Sequence, residues 1–125
     1  MGRIYEPIVV RGVPRNCLFD SGARNTYITA EVAKRLPRWK ISPAYRSGLG
    51  GRVRRITQAS ALVGTLRGHQ LDTEAYIVRD LGRDEKGRPI EIIFGALAMQ
   101  KWCIELIPKD ERLDMSHFPK EFVEF

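Results

Sequence analysis

Short apolar blocks, many of them alternating with polar residues, run along most of the chain, and Gly and Pro residues cut them into strand-length pieces. Residues 4–11 read as a first strand, Gly12-Val13-Pro14 as a turn, and residues 15–20 as a returning strand that ends in Asp20. Residues 29–36 predict a short helix: Thr29 suits its N-cap, Val32, Ala33 and Leu36 share one face, and Pro37 stops it. Residues 41–46 and 53–57 flank Gly48-Leu49-Gly50-Gly51 like the arms of a hairpin. Residues 56–66 and 71–78 predict a longer hairpin around Arg67-Gly68-His69. Its second arm carries Leu71, Thr73, Ala75 and Ile77 on one side and Asp72, Glu74, Tyr76 and Val78 on the other. Residues 80–89 predict an exposed, charged loop. Residues 90–94 form an apolar run, Gly95 leads into a helical segment over 96–102, and residues 103–107 and 112–115 close as a last hairpin around Pro108-Lys109-Asp110-Glu111. The pattern predicts an all-β domain over residues 1–115 with one or two short helices. The amphipathic tail, 116–125, has three readings: packing on its own subunit, binding a partner subunit, or fraying.

Composition narrows the class. A chain of 125 residues with 43% hydrophobic and 29% charged residues is long enough for one globular core and too short for a bilobal protein. No run approaches the roughly 20 apolar residues that cross a bilayer, so no membrane partner is expected. Met1-Gly2-Arg3-Ile4-Tyr5-Glu6 has no apolar stretch of the signal-peptide kind, and Glu6 stands where myristoylation needs Ser or Thr; a cytoplasmic protein is the expectation. Cys17 and Cys103 both sit in apolar runs and predict reduced core residues. His69, placed in a turn, and His117, near the tail, have no partner at ligand spacing, so neither a metal nor another cofactor is expected. The net charge of +6, with arginines gathered between positions 35 and 67, suggests acidic partners, anionic substrate residues or weak nucleic-acid association. It reads first as a solvated surface, and without an RNA-binding aromatic signature nucleic acid is not an expected partner.

The candidate chemistry lies in Cys17-Leu18-Phe19-Asp20-Ser21-Gly22-Ala23. An apolar run delivers one carboxylate into a Ser-Gly turn, where partial desolvation leaves it neutralised, paired or used. Asp20 is thus a candidate catalytic acid. An isolated Asp-Ser-Gly also serves simply to end a strand and cap a turn.

The order of three features resembles the retropepsin-like aspartic proteases, the single-domain, retroviral-type branch of the pepsin-like enzymes. These are the acid turn continuing through Arg24-Asn25-Thr26-Tyr27-Ile28-Thr29, the mid-chain Gly48-Leu49-Gly50-Gly51, and the late Ile92-Ile93-Phe94-Gly95. The resemblance extends from the first strand to Leu113. It implies a closed or barrel-like fold with a mobile flap at the glycine cluster, and a homodimeric endopeptidase acting on extended polypeptides. Such enzymes activate water between two apposed carboxylates that share one proton, one acting as base and the other as acid. This chain has one Asp-Ser-Gly and no acid in its second motif, so the pair would need Asp20 from each of two copies. By the same resemblance, the Ser21 hydroxyl locks the two turns together across the dimer and Gly22 permits the tight turn. Ala23, Arg24, Asn25, Gly48, Leu49, Gly50 and Gly51 would line the substrate cleft. Two residues depart from the viral pattern. Ser21 lacks the methyl group of the threonine found there, and Arg24 stands where viral members commonly place an acid. The guanidinium either favours acidic peptides or pairs with a surface carboxylate. The other readings are a catalytically inactive module with the same fold that dimerises or binds peptides, and a small basic β-barrel that binds nucleic acid.

Overall fold

The computed structural model describes residues 3–49 and 51–120. Its larger sheet contains β1 (Arg3–Tyr5), β2 (Ile8–Val10), β3 (Val13–Arg15), β4 (Cys17–Asp20), β5 (Tyr27–Thr29), β6 (Arg38–Leu49), β7 (Arg52–Leu66), β8 (His69–Val78) and β9 (Ile92–Phe94). The helices are α1 (Ala30–Ala33) and α2 (Ala96–Lys101), and β10 (Glu105–Ile107) pairs with β11 (Arg112–Asp114) as a separate small sheet.

Strands follow one another in the order β1-β4-β9-β5-β8-β7-β2-β3, with β6 pairing on β7. Only Glu6 and Pro7 join β1 to β2, yet these strands lie near opposite ends of that order. The sheet must therefore curl back on itself, and it forms a half-barrel. The expectation of a closed or barrel-like sheet resolves as barrel-like: the end strands β1 and β3 do not pair among the described residues. The first strand expected over 4–11 breaks at the same bend, because Pro7 has no N–H to give a ladder. Glu6 is held there at both ends. Its N–H donates to the Cys17 carbonyl at 3.0 Å, and its carboxylate takes two 2.8 Å hydrogen bonds from Arg67.

Two tight turns fix the hairpins. Arg11-Gly12 (φ 52° and 80°) joins β2 to β3, and Arg67-Gly68 (φ 51° and 80°) joins β7 to β8, as two-residue turns with positive φ at both positions. The first turn is thus Arg11-Gly12 rather than Gly12-Val13-Pro14, Val13 and Pro14 lie in β3, and the strand expected over 15–20 is interrupted at Asn16. His69 is not in a turn but opens β8, opposite Leu66. A single strand, β7, serves both predicted hairpins.

Thr29 caps α1 as expected, its Oγ1 accepting from the Val32 N–H, but the helix spans only four residues. Residues 34–36 tighten into turns, with Leu36 N–H on the Ala33 carbonyl, before Pro37. Cys17 is a buried core thiol, and its burial pushes it well above the ordinary cysteine range. Cys103 departs from expectation: it is exposed, at φ 54°, just past α2. It ends that helix in a Schellman arrangement, donating to the Gln100 carbonyl at 3.3 Å while Ile104 donates to Met99 at 2.9 Å. Trp102 and Phe118 are both buried and stack at 5.3 Å, so the described part of the tail packs on its own subunit. Residues 121–125, with Met1, Gly2 and Gly50, lie outside the described residues. Among the described residues no helix is long and apolar enough to cross a membrane.

The charged segment over 80–89 is not uniformly exposed. The Asp84 side chain, 2% exposed, accepts from the Lys86 and Arg88 amides, the Arg88 guanidinium and the Asn16 amide, all within 3.1 Å. Desolvation opposes its charge, but these donors outweigh it and hold the carboxyl below the usual value. A depressed carboxyl stabilises the fold fully above its unfolded value of 3.8, and that stabilisation is lost as pH falls from there through the folded value. In urea titrations across that range the wild-type midpoint should therefore fall more steeply with acid than that of Asp84→Asn.

Candidate active site

The acid turn grows out of an unusual strand arrangement. β9 lies between β4 and β5, parallel to the first and antiparallel to the second, so residues 21–26 must loop over its end. Phe19 faces Phe94 across the parallel pair, ring centroids 5.1 Å apart. Such a contact adds about 0.5–1.5 kcal/mol beyond area burial and fixes the register one residue before Asp20.

Within the turn, the Gly22 N–H donates to Asp20 Oδ1 at 2.8 Å and the Ala23 N–H to the Asp20 carbonyl at 3.1 Å. Asp20 is half-buried, while Ser21 and Gly22 are exposed. The first amides at α2 hold the loop from behind. Gly95 donates to Thr26 Oγ1 at 3.0 Å, Ala96 to the Ala23 carbonyl at 2.7 Å and Leu97 to the Arg24 carbonyl at 3.1 Å. A helix end leaves such donors unsatisfied; here the acid loop takes them. Gly95 is obligatory for contact reasons. A Cβ there would fall 2.2 Å from the Asn25 carbonyl oxygen and 2.9 Å from that of Ala23.

The sequence-predicted cleft residues fall into two groups. Asp20, Ser21, Gly22, Ala23, Arg24 and Asn25 form one continuous loop, with Ala23 buried and Arg24 exposed. Gly48, Leu49 and Gly51 lie at the end of the β6–β7 hairpin, where Leu49 pairs with Arg52 and Gly51 has φ 76°. Gly50 lies outside the described residues. Gly48 has open space around it, so packing does not demand glycine there. The groups are linked: Leu49 packs against an apolar cluster that includes Ala23, Tyr27 and Ile93. Ser47 and Tyr27 also join their hydroxyls at 2.5 Å.

Thr26 and Tyr27, both buried in the continuation of the acid turn, carry hydrogen bonds that the motif alone does not announce. Thr26 is buried at 3% exposure, and its hydroxyl is satisfied by the Gly95 N–H. No local pattern announces the Tyr27–Ser47 pair.

Comparison with solved structures places this architecture. No protein-family model matches the chain, and none of the curated proteins does. The retroviral protease-like domain of Ddi1 from Leishmania major is similar over 94% of this chain and 88% of its own, at 15% identity and a TM-score of 0.61. The chain has a retropepsin-like fold. The foamy viral protease-reverse transcriptase, solved with an RNA/DNA hybrid, matches 84% of this chain at 14% identity and a TM-score of 0.57; the match spans 13% of that longer chain. At such identities the likeness concerns the fold. Within this retropepsin-like fold the acid turn and the hairpin end meet across one apolar cluster.

Two substitutions probe the support behind the turn. Thr26→Val keeps the shape and strips the buried Gly95 N–H of its acceptor, which should lower unfolding free energy by about 1–3 kcal/mol. Gly95→Ala meets backbone and should cost about 3 kcal/mol or more; denaturant titration reads both.

Proposed function

We propose that this protein is an aspartic endopeptidase whose active site forms in a homodimer, with Asp20 of each copy activating one water. The observation that carries this reading is the acid turn: a half-buried carboxylate in a retropepsin-like fold, oriented by the Gly22 amide and strapped to α2. Each chain offers one such acid, because the strand Ile92–Phe94 runs into Gly95 without a carboxylate. A two-fold axis beside Asp20 supplies the second. An open cleft of about 940 Å³ beside Ser21, lined in part by Ala96, Met99, Ile104 and Leu106, supports a partner at this face. The exposed Ser21 hydroxyl is the group that would tie the two turns together.

Two carboxylates brought that close cannot both ionise, so the pair would hold one proton. The ionised member takes a proton from water as the oxygen attacks the scissile carbonyl carbon; the protonated member hydrogen-bonds the carbonyl oxygen. Such general acid–base assistance supplies about 10²–10⁴-fold in rate. The β6–β7 hairpins would act as flaps, pairing with an extended polypeptide whose alternate side chains enter pockets beside Ala23, Arg24, Asn25 and Leu49. The free thiols Cys17 and Cys103 suit a reducing, cytoplasmic setting.

Asp20→Asn keeps the size and the acceptor for the Gly22 amide but cannot share a proton. It should leave the urea midpoint and sedimentation behaviour unchanged while cutting kcat/KM on a peptide library by at least about 10²-fold. Peptidase activity retained in that variant would remove Asp20 from the chemistry, and a folded wild-type dimer that cleaves no peptide would point to a non-catalytic module.

A further inference from the structure

We propose that the inner face of the β6–β7 hairpin selects peptides bearing acidic side chains, with Arg54 as the specificity-determining residue, Arg52 on the same face and Arg24 contributing from the acid loop. The proposal rests on the endopeptidase reading and names the substrate class of the same site.

Register decides which arginines face inward. Residues directly opposite in an antiparallel pair share a face, and Ser47 is opposite Arg54, Leu49 opposite Arg52. Ser47 meets the Tyr27 hydroxyl, and Leu49 and Ile56 belong with the buried cluster around Tyr27 and Ala23, so this is the inner face. Arg52 and Arg54 stand on it. Arg46 and Arg55, opposite one another, stand on the outer face with the exposed Val53.

Nothing in the hairpin balances those inner charges. From residue 32 to residue 71 the chain contains no Asp or Glu. Among the described residues the ion pairs engage Arg15, Lys34, Arg67, Arg88, Lys101 and Arg112, all outside the hairpin. Arg24, exposed on the acid loop, has no ion pair among the described residues either. Arg54 Nε is buried and has no hydrogen-bond partner; Arg15 Nε shares that condition, but the Arg15 guanidinium already grips Glu91, whereas no ion pair among the described residues engages Arg54. A buried donor without an acceptor is costly, and a carboxylate from a bound chain fits a guanidinium in two-pronged fashion. A nucleic acid would instead meet the outer pair, Arg46 and Arg55. The orphaned donor on the inner face favours a peptide threaded beneath.

The test uses the full chain and paired extended peptides carrying Asp and Glu, or Asn and Gln, at positions flanking the cleaved bond. Binding is read by fluorescence polarisation on Asp20→Asn, and cleavage on otherwise wild-type protein. Acidic peptides should be preferred by about tenfold or more in both assays. In the Asp20→Asn background, Arg54→Gln should remove most of the binding preference, Arg54→Lys should keep part of it, and Arg55→Gln, an identical charge change on the outer face, should leave it intact. Equal use of acidic and amide peptides would overturn the proposal while leaving the peptidase reading standing. Equal losses in Arg54→Gln and Arg55→Gln would also overturn it, reducing the effect to overall charge. So would an oligonucleotide that binds more tightly than the peptides and depends equally on Arg54 and Arg55. Acid-selective, Arg54-dependent binding without any cleavage would sink the peptidase reading and keep the recognition.

Discussion

The intrusion of β9 between β4 and β5 is the constraint on which the rest of the molecule depends. Two strands adjacent in sequence are held apart by one that arrives from far along the chain, so the residues between them have to arch over its end. That arch is energetically awkward, because its carbonyls leave the ladder. The chain answers with the first amides of α2, which reach back to Ala23, Arg24 and Thr26, and with a glycine at the one point where a side chain would strike the backbone. The carboxylate at the foot of this arch takes the Gly22 amide, and the arch behind it is tied to α2.

The far end of the same strands is fastened differently. Asn16 receives the Glu91 amide on its carbonyl, and its own N–H reaches the Glu91 carboxylate at 3.0 Å, which Arg15 also grips at 2.8 Å. Its side chain bridges to Asp84 and to the Pro89 carbonyl. Parallel strands joined by long crossovers pay for their closure in chain entropy; a cluster of hydrogen bonds here sets the register from which Phe19 and Phe94 then meet.

Local chemistry made much of this legible in advance. The Thr29 cap, the apolar alternation in β8, the run into Gly95 and the last hairpin all follow from short-range patterning, and they appear where the residues say they should. Much of what was hidden depends on contacts that no short-range pattern spells out. The residues over 80–89 look like solvent-facing punctuation, yet Asp84 is buried, its carboxylate satisfied by the local Lys86 and Arg88 donors together with Asn16, remote in sequence. Cys103 sits among apolar neighbours and reads as strand, but the helix before it needs a left-handed residue to terminate. Asp20, Ser21 and Gly22 could be singled out by eye, whereas the reason they hold still, Thr26 beneath them, carries no signature of its own.

The left-handed cap also has a practical side. A side chain other than glycine in that conformation costs about 1–2 kcal/mol, and the residue carrying the cost is the exposed one of the chain's two cysteines. Exchanging it for glycine would relieve the strain and delete the accessible thiol in one step. The remaining thiol is sealed inside the core, so a probe attached through a newly introduced cysteine on the β6–β7 hairpin would report from a single address.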